Sequence, residues 1–307
     1  MTTTYPTTTY PANIRQVFAD TVGELMDTDP RIAVVLADIS ADLFVDAAHR
    51  HPGRVINLGI REQLMISVAG GLALTGLRPV VHTFPSFLVE RAFEQVKLDL
   101  GHQDVGAVLV SYGGSYDMAE EGRTHQAPGD VALLDTLPGW TVRVPGHPAE
   151  VDRLLRAAIP GDDKVYVRLS AQANAEPHQH DGVRIVRHGR RGVVLAVGPV
   201  LDRVLAATET ADVTVAYTAT ARPLDGEGLR AAVLGADRAD VVLVEPYLAG
   251  TSAYLVDAAL EDVPHRLRSL GVSREFEVRM YGAPADHDTA HGLDAAGIAT
   301  AVRSFLR

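Results

Sequence analysis

Short apolar runs separated by amphipathic stretches constrain this chain more than any other feature. I-A-V-V-L-A (32–37), R-P-V-V-H-T (78–83), V-G-A-V-L-V (105–110), T-V-R-V (141–144) and V-Y-V-R-L (165–169) are rich in β-branched residues and too short for helices. Helical periodicity fills the stretches between and around them, near residues 13–27, 61–75, 85–102 and 148–159. A strand apolar along its length is buried on both faces, and a helix between two such strands supplies the crossover that parallel pairing needs. The pattern predicts an α/β fold built on a mostly parallel sheet flanked by helices. His147-Pro148 before A-E-V-D-R-L-L-R marks a helix start, because proline is tolerated in a first turn.

From Ser170 to Arg190 the periodicity lapses, and A-Q-A-N-A-E-P-H-Q-H-D-G reads as a linker. It resumes in V-V-L-A-V-G (193–198), V-T-V-A-Y (213–217), V-V-L-V-E (241–245) and a closing helix from about Gly292. The expected organisation is a flexible N-terminus over 1–12, a first domain over 13–170, a linker over 171–190 and a second α/β domain over 191–307. With 307 residues, 47% of them hydrophobic, the chain has enough apolar side chains for two cores.

A formal net charge of −11 with no Lys/Arg-rich run argues against a nucleic-acid or anionic-membrane surface, since both need a concentrated positive field. No apolar run approaches the roughly 18 residues of a spanning helix, and the T/Y/P-rich opening lacks the apolar centre of a signal peptide. The expected location is the cytoplasm, with no membrane and no nucleic-acid partner. There is no cysteine, which excludes disulfides, thiolate nucleophiles and Cys-based metal sites. Only two of the 28 basic residues are lysines, Lys97 on a helical stretch and Lys164 opening a strand, so candidates for a Schiff base are few. Elimination favours small-molecule chemistry.

Three motifs carry that chemistry. N-L-G-I-R-E-Q (57–63) runs into L-M-I-S-V-A-G-G-L-A-L-T-G, apolar on nearly every face, so Glu62 opens a helix suited to burial. Taken alone, a first-turn glutamate complements a helix N-terminus. H-T-F-P-S-F (82–87) sets Phe84 and Phe87 three residues apart, a spacing that is common in cores, and continues into E-R-A-F-E-Q-V (90–96). His82, at a strand end, reads as packing. E-E-G-R-T-H-Q (120–126) sets Glu121 and His125 in a loop. Together these motifs resemble the transketolase family. The first lies where its pyrimidine-binding domain has the glutamate that activates thiamine diphosphate, the second is similar to the T-F-x-x-F and R-A-Y-E-Q-I segments, and the third to G-P-T-H-Q. Pro223-Leu224-Asp225, Val244-Glu245 and H-G-L-D-A-A-G-I (291–298) resemble the transketolase C-terminal domain. The resemblance covers nearly the whole chain and only the second half of a full-length transketolase.

The resemblance implies a pyrimidine-binding domain followed by a transketolase C-terminal domain whose role is largely structural. It implies that Glu62 meets N1′ of the cofactor's pyrimidine, that Phe84 and Phe87 frame that ring, and that His125 and Glu121 handle substrate. An apolar site suits Glu62, since desolvation raises a carboxyl pKa and eases proton sharing with N1′. Family members hold the diphosphate through a divalent metal such as Mg2+ on a G-D-G segment, which this chain lacks; Gly161-Asp162-Asp163 lies in an apparent turn. The metal and diphosphate are therefore expected on a separate alpha subunit, with the chain self-associating as the beta half of an α2β2 heterotetramer.

The substrate is less uniform. Arg15 matches one member of the family's phosphate clamp, but Ala171, Gly113 and Asp42 stand where an Arg, a His and a Ser are expected. The expectation is ketol transfer from a donor that is not a usual sugar phosphate, in a specialised or biosynthetic pathway. The alternatives are a dehydrogenase-like beta subunit taking an oxo-acid donor and passing an acyl unit to a lipoyl or carrier-protein thiol, and a degenerate subunit kept for assembly. T-H-Q in place of H-S-Q favours transfer over the former, and the intact Glu62 and His125 argue against the latter. R-L-S-A-Q (168–172) lacks the P-R-G of deoxyxylulose phosphate synthases.

Overall fold

A computed structural model of the chain describes residues 13–178 and 180–306; residues 1–12, read as a flexible terminus, lie outside the described residues. The strands are β1 Ile32–Leu36, β2 Val55–Asn57, β3 Arg78–Thr83, β4 Val108–Tyr112, β5 Trp140–Arg143, β6 Lys164–Leu169, β7 Arg184–Arg187, β8 Val193–Val197, β9 Thr214–Thr218, β10 Thr220–Arg222, β11 Asp240–Leu248 and β12 Arg266–Val272. Two sheets result, ordered β10-β5-β6-β4-β3-β1-β2 and β12-β11-β8-β9-β7. All neighbours pair in parallel except β10 with β5 and β7 with β9. The α/β architecture expected from the apolar runs is the one found, because β1, β3, β8 and β9 are buried at every residue and so need helices on both faces.

Helix Ile14–Thr28 begins at Asn13, whose side chain accepts the Arg15 N–H at 3.1 Å. Its Phe18, Val22 and Met26 enter one core with Val151 and Leu155 of helix Pro148–Ala158. That second helix starts where the His-Pro pair places it, with Pro148 in the first turn and His147 Nδ1 accepting the Ala149 N–H. Helix Glu62–Leu74 turns Met65, Ile66, Ala69 and Gly70 inward. A Cβ on Gly70 would lie 2.6 Å from the Asp99 carbonyl oxygen, so glycine lets this helix lie directly on the neighbouring segment.

Two features depart from the sequence pattern. Residues 85–102, expected as one helix, are wound as π turns over Ser86–Arg91 and Val96–His102 about a short α segment, Phe93–Gln95. Strand β7 falls inside the stretch 171–190 where periodicity lapses, and β10, which follows β9 of the second sheet, crosses to pair with β5 of the first. The two sheets are thus joined by a strand as well as by side chains. Glu150, fully buried, accepts from Gly146 N, His178 N and the Tyr217 hydroxyl at 2.8, 2.7 and 2.6 Å.

Candidate active site

The parallel strands of the first sheet end on one side, and the three motifs come together there. Asn57, the last residue of β2, fixes the approach to Glu62. Its side-chain oxygen accepts from Gly59 N and Asp38 N, both at 3.0 Å, and its amide donates to Asp38 Oδ1. Glu62 then opens its helix with 1% of its surface exposed. A carboxylate this deep needs a partner, and Arg91 supplies it, donating from Nη1 to Glu62 Oε2 at 2.8 Å. The Arg91 guanidinium lies 4.0 Å from the centre of the Phe87 ring.

Phe87 and Phe84 meet edge to face with ring centres 6.0 Å apart, and His125 sits edge-on to both, 5.1 Å from Phe87 and 5.3 Å from Phe84. All three rings are half-buried. Thr124 Oγ1 donates to the Glu121 carbonyl at 3.3 Å and so accepts from His125 Nδ1 at 3.0 Å, which leaves Nε2 as the ring nitrogen able to take a proton. Glu121 ends the short turn Ala119–Glu121 with its side chain exposed. Thr83 and Ser86, which flank Phe84 in sequence, bury hydroxyl oxygens that no group among the described residues meets. Unused hydrogen-bonding capacity beside an aromatic pair and a buried carboxylate suits a flat ring bearing polar atoms.

Arg15 closes the far end. Its guanidinium is 5.1 Å from the Tyr112 ring, which lies 6.5 Å from Phe84, and it donates to Ser40 Oγ at 3.1 and 2.9 Å. Ser40 Oγ also contacts His82 Nε2 at 3.0 Å. Glu62, Arg91, Phe87, His125, Phe84 and Arg15 therefore line one wall, each touching the next directly or through Tyr112. Sequence reasoning passed over Arg91 and Tyr112. Arg91 stands four residues after Phe87 in a helical stretch, a spacing that was a readable sign of contact; Tyr112 at the end of β4 carried no sign of its own.

Residues 11–176, more than half of the chain, match the transketolase pyrimidine-binding domain. The chain belongs to the transketolase family. It corresponds to the C-terminal half of such a protein. A relative described as an uncharacterized 33.6 kDa protein in the fasciation locus of Rhodococcoides fascians is 57% identical over 94% of this chain and 93% of that protein. The 1-deoxy-D-xylulose-5-phosphate synthases of Thioalkalivibrio sulfidiphilus and an Azoarcus species are 30% and 32% identical over 95% and 94% of this chain. This transketolase-family chain spans about half the length of those synthases, 46% and 48%. Among solved structures, a split-gene transketolase described as an inactive beta4 tetramer superposes with a TM-score of 0.82 at 24% identity, covering 97% of this chain and 99% of that one. Transketolase from Campylobacter jejuni superposes at 0.76 and 18% identity over 95% of this chain and 46% of that one. Both show the same fold.

Of the four positions that the resemblance leads one to expect around a phosphate, Arg15 alone carries a cation, and Gly113, Ala171 and Asp42 offer no side-chain donor. Gly113 has φ +86, and a Cβ there would approach Met118 at 3.1 Å and Phe84 at 3.4 Å, so the backbone itself opposes a histidine. Ala171 offers its N–H to Asp117 Oδ2 at 2.9 Å, and Asp42 is exposed. Among the described residues no group of three or more His, Asp or Glu side chains is arranged to hold a metal, and no helix is long and apolar enough to cross a membrane.

Proposed function

We propose that this chain is the beta half of a split, thiamine-diphosphate-dependent transketolase-like enzyme that transfers a two-carbon ketol unit, with a separate alpha chain contributing the diphosphate site and its divalent metal. One observation carries the reading: Glu62 is buried at the edge of an aromatic wall that ends on a half-buried histidine. When bound, thiamine diphosphate supplies a carbon nucleophile at its thiazolium C2. Glu62 would hold the proton shared with N1′ of the pyrimidine, a task that suits a carboxyl screened from water. Phe84 and Phe87 would stack on the ring and exclude solvent. His125, with Nε2 unprotonated, would take or return the proton of a substrate oxygen, and Glu121 would meet a substrate hydroxyl.

The exposed apolar side chains Ile60, Leu64, Leu74 and Leu98, on and beside the Glu62 helix, support association of beta chains with one another within an α2β2 assembly. Gly113, Ala171 and Asp42 support a substrate without a terminal phosphate, with Arg15 the remaining cation of the clamp. A second reading is favoured by the synthase relatives: formation of a deoxyketose phosphate, which would need that phosphate held by the partner.

The test is Glu62→Gln in the assembled enzyme. An amide cannot share a proton with N1′ as a carboxyl does, so exchange of the C2 proton for deuterium, followed by NMR, should fall to the rate of free cofactor while the chains still assemble. Exchange at the wild-type rate would remove Glu62 from the chemistry.

A further inference from the structure

We propose that in the lone chain Arg91 occupies the place of the cofactor's aminopyrimidine, and that the ring enters only as Arg91 withdraws. The inference rests on the reading of Glu62, Phe84 and Phe87 as a pyrimidine site. A guanidinium is flat, delocalised and rich in N–H donors. That of Arg91 makes one hydrogen bond to Glu62 Oε2, 2.8 Å long, and covers the Phe87 ring at 4.0 Å. An aminopyrimidine held by this wall would draw on the same two resources, the Glu62 carboxyl and an aromatic face. The carboxyl has two oxygens and could serve both, but one face of Phe87 cannot be covered by two flat groups at once.

The two ends of the ion pair differ in their freedom. The Glu62 side chain is 2% exposed and that of Arg91 40% exposed. Arg91 can swing into solvent with little desolvation to undo, whereas Glu62 stays where its helix puts it. Without Arg91 the lone chain would bury a bare carboxylate, which is strongly unfavourable. Arg91 therefore serves the fold in the absence of cofactor and competes with the ring in its presence. This predicts that the lone chain binds the pyrimidine weakly even though the wall is already formed.

The experiment uses the full chain without partner and the alcohol 4-amino-5-hydroxymethyl-2-methylpyrimidine as probe, since it carries no diphosphate. By calorimetry, Arg91→Met should bind the probe at least about tenfold more tightly than wild type, because one charge-assisted hydrogen bond no longer has to be broken. Adding Glu62→Gln should abolish the gain. A second measurement needs no substitution and covers the case that Arg91→Met folds poorly. In wild type labelled with 15N-arginine, the Arg91 Nε–H resonance, shifted by the Phe87 ring, should move toward the position of a free arginine as probe is added. Equal or weaker binding by Arg91→Met, or an Arg91 signal unmoved at saturating probe, overturns the proposal. If Glu62→Gln alone still weakens probe binding in that case, the pyrimidine site stands without Arg91 as its plug. If Glu62→Gln changes nothing, the site reading falls as well.

Discussion

Ser40 Oγ receives two N–H groups from Arg15, so its own proton can go only to His82 Nε2, and His82 must carry its proton on Nδ1, where it donates to the Val110 carbonyl at 2.8 Å. Burial, with the nearby Arg15 charge adding to it, pushes the His82 pKa down to about 4. Glu245 is the opposite case: burial pushes its pKa up to about 7, despite N–H groups from Gly250 and Ser252 at 2.9 Å. The signs oppose each other. As pH falls from 6.5 toward 4, the unfolded chain takes up a proton that folded His82 refuses, so stability falls with falling pH. As pH rises from 4.5 toward 7, the folded chain keeps a proton on Glu245 that the unfolded chain has lost, so stability falls with rising pH. Each linkage amounts to about 3 kcal/mol across its window. In urea unfolding between pH 4.5 and 6.5, His82→Gln should lose stability relative to wild type as pH rises, and Glu245→Gln should gain it. Three parallel profiles would show that neither group titrates as its burial requires. At this scale motifs in the sequence mark Glu62, Phe84, Phe87 and His125, and the fold gathers them on one wall. Arg91 lies within E-R-A-F-E-Q-V, four residues after Phe87, but its pairing with Glu62, 29 residues earlier, is marked by no pattern of charge or period.

Among elements, legibility followed length and burial. β1, β3, β6 and β8 announce themselves as apolar runs because both their faces are covered. β2 and β10 are three residues long, and β7 has no fully buried residue, so their sequences carry no comparable mark. The π turns at 86–102 escaped for another reason: a helix pattern specifies an apolar face, and a wider turn there preserves it. The helix opened by Glu62 allows a paired test. Replacing a mid-helix glycine by alanine gains roughly 0.8–1 kcal/mol of propensity. At Gly71 a Cβ meets nothing within 4 Å, so Gly71→Ala should raise the melting temperature. At Gly70 it would meet the Asp99 backbone at 2.6 Å, and overpacking of that kind costs about 1–3 kcal/mol. Gly70→Ala should therefore lower the melting temperature in spite of the better helix former. If both substitutions stabilise, the helix and the 96–102 segment leave room for a methyl group at Gly70 and are not in direct contact there.

On the scale of the whole molecule, the site sits on one sheet while its loop is braced by the other. Strand β10 leaves the second sheet's β9 and joins β5. Glu150 binds the Tyr217 hydroxyl from across the junction, and Arg123, two residues before His125, faces Glu277, just past β12 of the second sheet, at 3.6 Å. Units joined in this way should unfold together, where two independent α/β domains would melt apart. The Tyr217 hydroxyl donates to a fully buried carboxylate and also accepts the Gly146 N–H at 3.1 Å. Tyr217→Phe leaves that carboxylate short of one donor at nearly constant volume, a loss of about 1.5–3 kcal/mol. Scanning calorimetry should show a single endotherm for wild type, and in Tyr217→Phe a lower melting temperature for the whole transition, reaching the first sheet as well as the second. Two resolved endotherms in wild type, or a shift confined to one of two transitions in the variant, would mean that the junction carries contacts but no coupling, and that the loop bearing His125 is held by the first sheet alone.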